Sequence, residues 1–371
     1  MSGRIKIIMT FILVFVFLDS NISKAQVLQD SAALNLIKKD IDCIYNQQFD
    51  IASEINIKIS KSHSGQPLTF LLRGMLTYWK NFPLLNSNPA HQSFEDDLRQ
   101  CIRLSEKNVN SESKAEYLLT NLCARGMLLK FYDDNNLTLE VIPLVTGTYK
   151  YLRESFLFTK ECSDLYYYTG VYNYYIEAYP KVYPVYKALA LLFPPGNMKK
   201  GLKEIHLAAK NAVVLRAESN FILIWIYLNF ENKYPQALYF CKILHEMYPD
   251  NPLYIALYIK NLLLMKYYDE AEKLIVHSQK ETENKFLLAQ LIIFQGVLQE
   301  KKYHDIKVAQ QYYTSGISRI TPFGVYGNEY EAFAYFGLSR ICYARSEKTD
   351  GKKYRQKAMK LGDFKKINFD Q

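Results

Sequence analysis

The sequence predicts an all-α protein built from stacked pairs of helices, and three observations lead to that prediction. From residue 28 onward, apolar residues recur at spacings of three and four, which is the period of an α-helix. No segment shows the strict alternation of a half-buried β-strand. Turn signals such as Asn88-Pro89 and Thr321-Pro322 divide the chain into candidate helices of about 10 to 20 residues. Because the connections are short, consecutive helices are expected to run antiparallel.

The first 25 residues have the pattern of a secretory signal peptide. Arg4 and Lys6 precede the apolar run IIMTFILVFVFL, and Ser23-Lys24-Ala25 places small residues at positions minus three and minus one of a cleavage site. The alternative, a membrane anchor, needs about 20 apolar residues. No Cys follows the predicted cleavage site, which argues against a lipid anchor. We therefore expect export to the periplasm or outer membrane of a Gram-negative bacterium, with no transmembrane segment left after cleavage.

The composition is that of a foldable chain with a modest positive charge. Its 371 residues are 49% apolar and 22% charged, and the formal net charge is +9. Residues 1–25 carry three cations and one anion, so the rest of the chain has a charge of +7. This modest charge and the predicted export argue against nucleic acid as a partner.

Positive charge is concentrated near the C-terminus. The cations there are Lys348, Lys352, Lys353, Arg355, Lys357, Lys360, Lys365 and Lys366, and the acids among them are Asp350 and Asp363. One explanation is the solvated face of a terminal helix. The other is electrostatic contact between this basic tail and an acidic membrane or polymer surface.

The six cysteines lie far apart in the sequence and include no CxxC pair. Most fall in apolar helical patterns, where a free Cys acts as a small core residue. Cys101 and Cys123 are the pair that a disulfide would join, because a turn near Asn108 to Ser111 would fold their helices antiparallel. Two free thiols are the alternative.

No catalytic motif occurs in the sequence. The nucleophile elbow GxSxG, the phosphate loop GxxxxGK[ST], the zinc motif HExxH and the GxGxxG fingerprint are all missing. The histidines are scattered singly, and His245-Glu246 places a base beside an acid on a predicted repeat helix. We expect no enzyme, no cofactor and no metal site, although an active site assembled from distant residues stays an alternative.

One segment repeats with a period of 34 residues. Glu218 to Asn251 can be laid over Pro252 to Lys285, and the key positions then coincide. The matched pairs are Phe221 with Ile255, Leu228 with Leu262, Tyr234 with Tyr268, and Ala237 with Ala271. The small alanines leave room where two helices cross closely, and the neighbouring tyrosines fill the gap beside them.

The second halves of these repeats resemble a known family. The stretches KYPQALYFCKILHEMYPDNP and YYDEAEKLI are similar to the second helix of a tetratricopeptide repeat. The resemblance covers residues 218–285 clearly, and residues 26–217 and 286–371 as divergent repeats, the last ending in a basic C-terminal helix. It implies a right-handed superhelical solenoid of antiparallel helix pairs, irregular in its middle section. The first helices of such an array present a concave surface to a peptide or a partner domain.

The resemblance also implies which residues face that concave surface. They are Ser219, Ile222, Ile226 and Asn229 in one repeat, and Leu253, Ala256, Lys260 and Leu263 in the next. The family's clamp for a terminal carboxylate wants Lys and Asn where Ile222, Ile226 and Ala256 stand. An apolar groove is expected instead, suited to a hydrophobic peptide, a partner helix or another segment of this chain.

A tyrosine-rich helix is predicted for LYYYTGVYNYYIEAYP, residues 165–180. At 100° per residue, Tyr168, Tyr172, Tyr175 and Tyr179 form one stripe, and Thr169, Gly170 and Asn173 belong to the only polar face. Core packing is one interpretation of this stripe. In the other, Tyr168, Tyr172 and Tyr175 line a groove that binds a peptide or a sugar. The following VYKALALLF is expected to form a short buried helix or a packed lid.

These features predict an exported scaffold or adaptor that binds a protein or peptide in the cell envelope. The alternative is a carbohydrate-binding or small-ligand-binding helical repeat protein. Helical repeats also underlie some outer-membrane sugar-binding proteins, but those typically carry the lipid anchor whose Cys is missing here.

Overall fold

The computed structural model describes residues 27–28, 30–108, 113–362 and 369–370, and every regular element in these ranges is a helix. The α-helices are α1 Ser31–Tyr45, α2 Phe49–Ser62, α3 Pro67–Lys80, α4 Ala90–Asn108, α5 Lys114–Asp134, α6 Thr138–Ser155, α7 Leu165–Val182, α8 Lys187–Ala190, α9 Met198–Asn211, α10 Arg216–Asn229, α11 Tyr234–Met247, α12 Pro252–Leu264, α13 Tyr268–Glu281, α14 Lys285–Lys301, α15 Ile306–Ile320, α16 Asn328–Ala344 and α17 Lys348–Leu361. Two 3₁₀ segments, Pro184–Tyr186 and Thr321–Gly327, complete them. The all-α prediction is confirmed. The predicted signal peptide and the tail residues Asp363, Lys365 and Lys366 lie outside the described ranges.

The helices pack as adjacent pairs along the chain. The pairs are α1/α2, α3/α4, α5/α6, α7/α9, α10/α11, α12/α13, α14/α15 and α16/α17. Several first helices also contact the first helix of the following pair, as α1 does with α3 and α12 with α14. Paired helices in series are what the repeat prediction requires, whereas the superhelical path and its hand stay predictions. Among the described helices, none is both long enough and apolar enough to cross a lipid bilayer.

The same tight turn recurs inside most of these pairs. A residue with positive φ stands two positions before the second helix, and the residues are Gln47, Asn136, Asn232, Lys266, His304 and Ser346. The next amide then returns to the end of the first helix. Gln48 N donates to Cys43 O at 2.9 Å, and Tyr267 N donates to Leu262 O at 2.9 Å. Because this turn also occurs before residue 217, the repeated hairpin extends into a region where the sequence shows no clear register.

Asn251 explains both a helix start and a long-range contact. Its side-chain oxygen accepts hydrogen bonds from Leu253 N and Tyr254 N at the start of α12, and Pro252 takes the first helical position, where its missing N–H costs nothing. The amide nitrogen of the same side chain donates to Tyr45 O at 3.0 Å. One residue therefore caps α12 and ties it to the end of α1.

The N-terminal pairs dock onto helices from the second half of the chain. Tyr45 packs against the rings of Tyr248 and Tyr254, at centroid distances of 5.0 and 6.0 Å. In the connection between α3 and α4, Phe82 O accepts from Asn284 Nδ2 at 2.9 Å. The end of α1 and the connection after α3 are thus held against residues of the second half of the chain.

The cysteines are free thiols, including the pair for which a disulfide was an alternative. Cys101 on α4 and Cys123 on α5 are both buried and unpaired. The Cys101 thiol lies 3.5 Å from Thr120 O, to which it donates. Burial raises the pKa of both thiols, so they act as core residues.

The segment VYKALALLF differs from its prediction. It contains only the four-residue helix α8, and the side chains of Val185 and Leu191 are 80% and 86% exposed. The flanking helices α7 and α9 explain why it is not a buried helix. A Cβ on Gly170 would stand 2.8 Å from Gly201 O, so these two helices touch and leave no room between them. Gly170, expected on the polar face of α7, is therefore buried at this crossing.

Replacing Gly201 by Ala is expected to lower the free energy of unfolding by about 2 kcal/mol. The new Cβ would stand 2.6 Å from Tyr174 N, which is a backbone atom and cannot swing away. Gly126→Ala is the matched control, because its Cβ would meet only the Tyr168 hydroxyl at an ordinary 3.6 Å. The control is expected to gain up to about 1 kcal/mol of helix propensity. Urea denaturation measures both, and equal stability of the two variants would contradict the close crossing.

Candidate functional site

A cavity of about 340 Å³ lies where the first helices of six pairs converge. Helices α1, α3, α5, α7, α10 and α12 each contribute lining residues, and Leu215 contributes from the connection before α10. Most of the lining therefore comes from first helices of the pairs, the helices that the resemblance implied would form a concave groove. Tyr45 at the end of α1 reaches Glu218 on α10 and packs beside Tyr254 on α12, so α1 forms one part of the cavity wall.

Aromatic rings form much of the cavity wall. Tyr45, Trp79 and Tyr254 form one cluster, with ring centroids 5.1 Å apart for Tyr45 and Trp79 and 6.0 Å apart for Trp79 and Tyr254. Tyr167 and Tyr168 line another side, with their rings edge to face at 5.0 Å. Burial holds the pKa of each of these tyrosines above its ordinary value, so their hydroxyls stay protonated at neutral pH.

Glu218 places one carboxyl group in this aromatic wall. Its Oε1 accepts a hydrogen bond from the Tyr45 hydroxyl. Its Oε2 is buried and has no hydrogen-bond partner among the described residues. Burial raises the pKa of Glu218 to about 7, against the opposing effect of the Tyr45 hydroxyl. A carboxyl group with one spare oxygen is the kind of group that a ligand's donor or cation would satisfy.

Asp164 holds two walls of the cavity together. Its carboxyl group accepts from three successive backbone N–H groups, those of Val213 at 2.9 Å, Val214 at 2.7 Å and Leu215 at 2.8 Å. Asp164 directly precedes α7, and the three amides directly precede α10. The contact therefore fixes the start of the helix that carries Tyr168 against the start of the helix that carries Glu218.

The structure brings three of the residues predicted for a binding surface to the cavity. Tyr168, Ile222 and Leu253 line it. Tyr172 points elsewhere, because its hydroxyl donates to Pro194 O at 2.7 Å. Tyr175 packs beside Phe230, and its hydroxyl is buried without a hydrogen-bond partner among the described residues. The tyrosine stripe of α7 is thus divided between the cavity and helix packing.

The other residues predicted for the concave surface are buried among neighbouring helices; they are Ser219, Ile226, Asn229, Ala256, Lys260 and Leu263. Ile226 is inaccessible, and Asn229 donates to Trp225 O within its own helix. Lys260 is 1% exposed, and its Nζ donates to Glu329 Oε1 at 2.9 Å. Since Lys260 is paired inside the protein, it has no free charge to offer a peptide.

Sequence reasoning missed three residues that shape the cavity, namely Tyr45, Asp164 and Glu218. Glu218 did carry a signal, because it is an acid in the first turn of the otherwise apolar helix α10. Tyr45 and Asp164 carry none, since their partners lie 173 and about 50 residues away in the chain.

No cluster of three metal-binding side chains occurs in the part of the chain that the structure describes. No protein-family model matches this chain, and a search of curated proteins finds no match. Its function is therefore inferred from the residues and the geometry above.

Proposed function

We propose that this protein binds a small organic cation with an apolar body in the aromatic cavity, without chemical conversion. The observation that carries the proposal is the Glu218 carboxyl group, which lines a cavity rich in aromatic rings and whose buried Oε2 has no hydrogen-bond partner among the described residues. We further propose, from the sequence of residues 1–25, that binding takes place after export.

The chemistry of the walls favours a cation over other small ligands. Aromatic rings attract a cation through their electron-rich faces, and a carboxylate adds a full opposite charge. Tyr45, Tyr167 and Tyr168 supply rings near the carboxyl group of Glu218. The cavity volume of about 340 Å³ is within the range of roughly 300 to 1,000 Å³ usual for small-molecule sites.

A carbohydrate fits these walls less well, because a sugar needs several polar partners and two of the polar groups that line the cavity are already paired: the Tyr45 hydroxyl donates to Glu218, and the Lys130 Nζ donates to Asp134. The scaffold function remains a second candidate. It is less favoured on this inner face, because Ile226, Asn229 and Lys260 are buried. A partner protein would have to bind elsewhere on the molecule.

We expect calorimetry to detect binding of alkylamines and arylamines, such as phenethylamine, and much weaker binding of the matched alcohols. The affinity is expected to rise about tenfold between pH 6 and pH 8, because a carboxyl group with a pKa of about 7 is about one-tenth ionised at pH 6. Glu218→Gln should bind the amine at least tenfold more weakly at pH 8 and should lose the pH dependence.

Two further variants sharpen this test. Ile222→Trp narrows the cavity without touching the carboxyl group and is expected to abolish binding. Glu246→Gln is the matched control, since its side chain is 62% exposed on α11, and it should bind like the wild type. Failure of every amine to bind, or full affinity in Glu218→Gln at pH 8, would contradict the proposal. A heat of binding with soluble glycans instead would favour the carbohydrate alternative.

A further inference from the structure

A large exposed apolar patch lies away from the cavity. We define the apolar patch as Leu139, Ile142 and Val145 on α6 together with Val182, Val185, Leu191 and Leu192 at and after the end of α7; all seven are exposed. Leu139 is 81% exposed and Leu192 is 77% exposed. Soluble proteins rarely leave so many large apolar side chains in water, and such patches mark interaction surfaces.

Contacts join the two halves of the apolar patch. The ring of Phe193 packs edge to face on Tyr149, with their centroids 5.0 Å apart. Tyr149 lies on α6 seven residues after Ile142, so both residues are on the same face of that helix. The segment after α7 therefore continues the apolar stripe of α6.

The second half of the apolar patch lies in a stretch of sequence with several lysines and no acid. Between Glu177 and Glu204 the sequence contains no Asp or Glu, and it contains Lys181, Lys187, Lys199, Lys200 and Lys203. All five lysines are exposed. Only Lys200 forms an ion pair among the described residues, with Glu204 at 3.7 Å. On α6 the acid beside Leu139 is Glu140, which is 3.7 Å from Arg99.

Three tyrosines cluster next to Val182 and Val185 in the second half of the apolar patch. The rings of Tyr179, Tyr183 and Tyr186 contact one another at centroid distances of 5.8 to 6.3 Å. Tyrosine is enriched where an apolar surface meets water, because its ring can be buried while its hydroxyl stays hydrated.

We propose that the apolar patch inserts into the surface of an anionic lipid membrane while the surrounding lysines contact the lipid headgroups. Exposed aliphatic side chains, clustered tyrosines and five exposed lysines on the acid-free stretch 178–203 match the three zones of such a surface, namely acyl chains, interface and charged headgroups. The basic helix α17 is a poorer candidate, because its large apolar residues are Tyr354, Met359 and Leu361 and only Met359 among them is exposed.

The test is flotation of the protein with lipid vesicles. We expect binding to vesicles that contain one-third phosphatidylglycerol, weak binding to pure phosphatidylcholine, and loss of most binding in high salt. Leu191→Ser/Leu192→Ser should partition at least tenfold more weakly. Lys187→Gln/Lys199→Gln should lose roughly twentyfold, since each lysine near an anionic surface is worth about fivefold.

Two control variants separate this surface from general stickiness and from the basic tail. Ile51→Ser/Ile57→Ser removes two exposed apolar residues on α2, and Lys352→Gln/Lys353→Gln removes two exposed lysines on α17. Both should bind within about twofold of the wild type. Equal binding by Leu191→Ser/Leu192→Ser, absence of binding to anionic vesicles, or loss of binding in the α17 variant instead would each overturn the proposal.

Discussion

Asp164→Ala is expected to lower the free energy of unfolding by about 4 kcal/mol, because it leaves three buried N–H groups without an acceptor. Asp164 is 2% exposed, so water cannot replace the lost carboxyl group at low cost. Asp164→Asn should lose about half as much, since one side-chain oxygen can still accept. Chemical denaturation measures both variants. The starts of α7 and α10 would also separate, so amine binding in the cavity should weaken.

The matched control is Asp305→Ala. Asp305 also accepts a backbone N–H, that of Val308 at 3.0 Å, but it caps α15 at an exposed position. Loss of this single cap is expected to cost about 1 kcal/mol. If Asp164→Ala costs no more than Asp305→Ala, the three amides before α10 have other partners and Asp164 does not hold the cavity walls.

Arg340→Met is expected to lower the free energy of unfolding by about 3 to 5 kcal/mol, because the buried Glu300 carboxylate loses its arginine partner. Arg340 donates to Glu300 through Nε at 2.6 Å and through Nη2 at 2.8 Å, and the Tyr313 hydroxyl donates to the same carboxyl group at 2.7 Å. Burial alone would raise the pKa of Glu300, but the hydrogen bonds and charge of Arg340 hold it below its ordinary value. Thermal and urea unfolding measure the loss.

The pH dependence provides a second readout of this ion pair. A lowered pKa in the folded state means that Glu300 stabilises the wild type above its ordinary pKa of about 4.5, and that this contribution is lost as the pH falls below it. In Arg340→Met, burial should instead raise the pKa of Glu300. The cost of keeping this buried carboxyl group ionised in the folded state then grows as the pH rises. The stability gap between the two proteins should therefore be smaller at pH 4 than at pH 7.

Two variants accompany Arg340→Met. Arg340→Met/Glu300→Gln removes both charges and is expected to recover much of the loss. Arg345→Met changes an exposed arginine that donates to Gln310, and it should stay within about 0.5 kcal/mol of the wild type. A loss in Arg345→Met as large as that in Arg340→Met would show that the ion pair with Glu300 is not the cause.

Much of the helical architecture could be predicted from local patterns. Asn251-Pro252 signals the start of α12, because a capping side chain followed by a proline at the first helical position is favourable whatever surrounds it. Ala237 and Ala271 are both fully buried, as their matched positions in the 34-residue repeat predict. The structure of the segment after α7 was harder to predict, because a short run of apolar residues does not by itself tell whether the run is buried or faces a partner.

The candidate site could be predicted only in part. Tyr168 and Ile222 were chosen from helix periodicity and from the repeat resemblance, and both line the cavity. Lys260 was chosen in the same way, yet its charge is paired with Glu329, a residue 69 positions later. Periodicity gives the face of a helix on which a residue lies, but it does not tell what covers that face.

The helices, their pairing and the 34-residue repeat follow from local patterns, because they depend on interactions between residues close in the chain. The aromatic cavity between the first helices is instead a property of the packed chain. That cavity exists because Tyr45 reaches Glu218, 173 residues away, and Asp164 ties the start of α7 to the start of α10. Such contacts form only once the pairs have stacked, so no local pattern in the sequence encodes them.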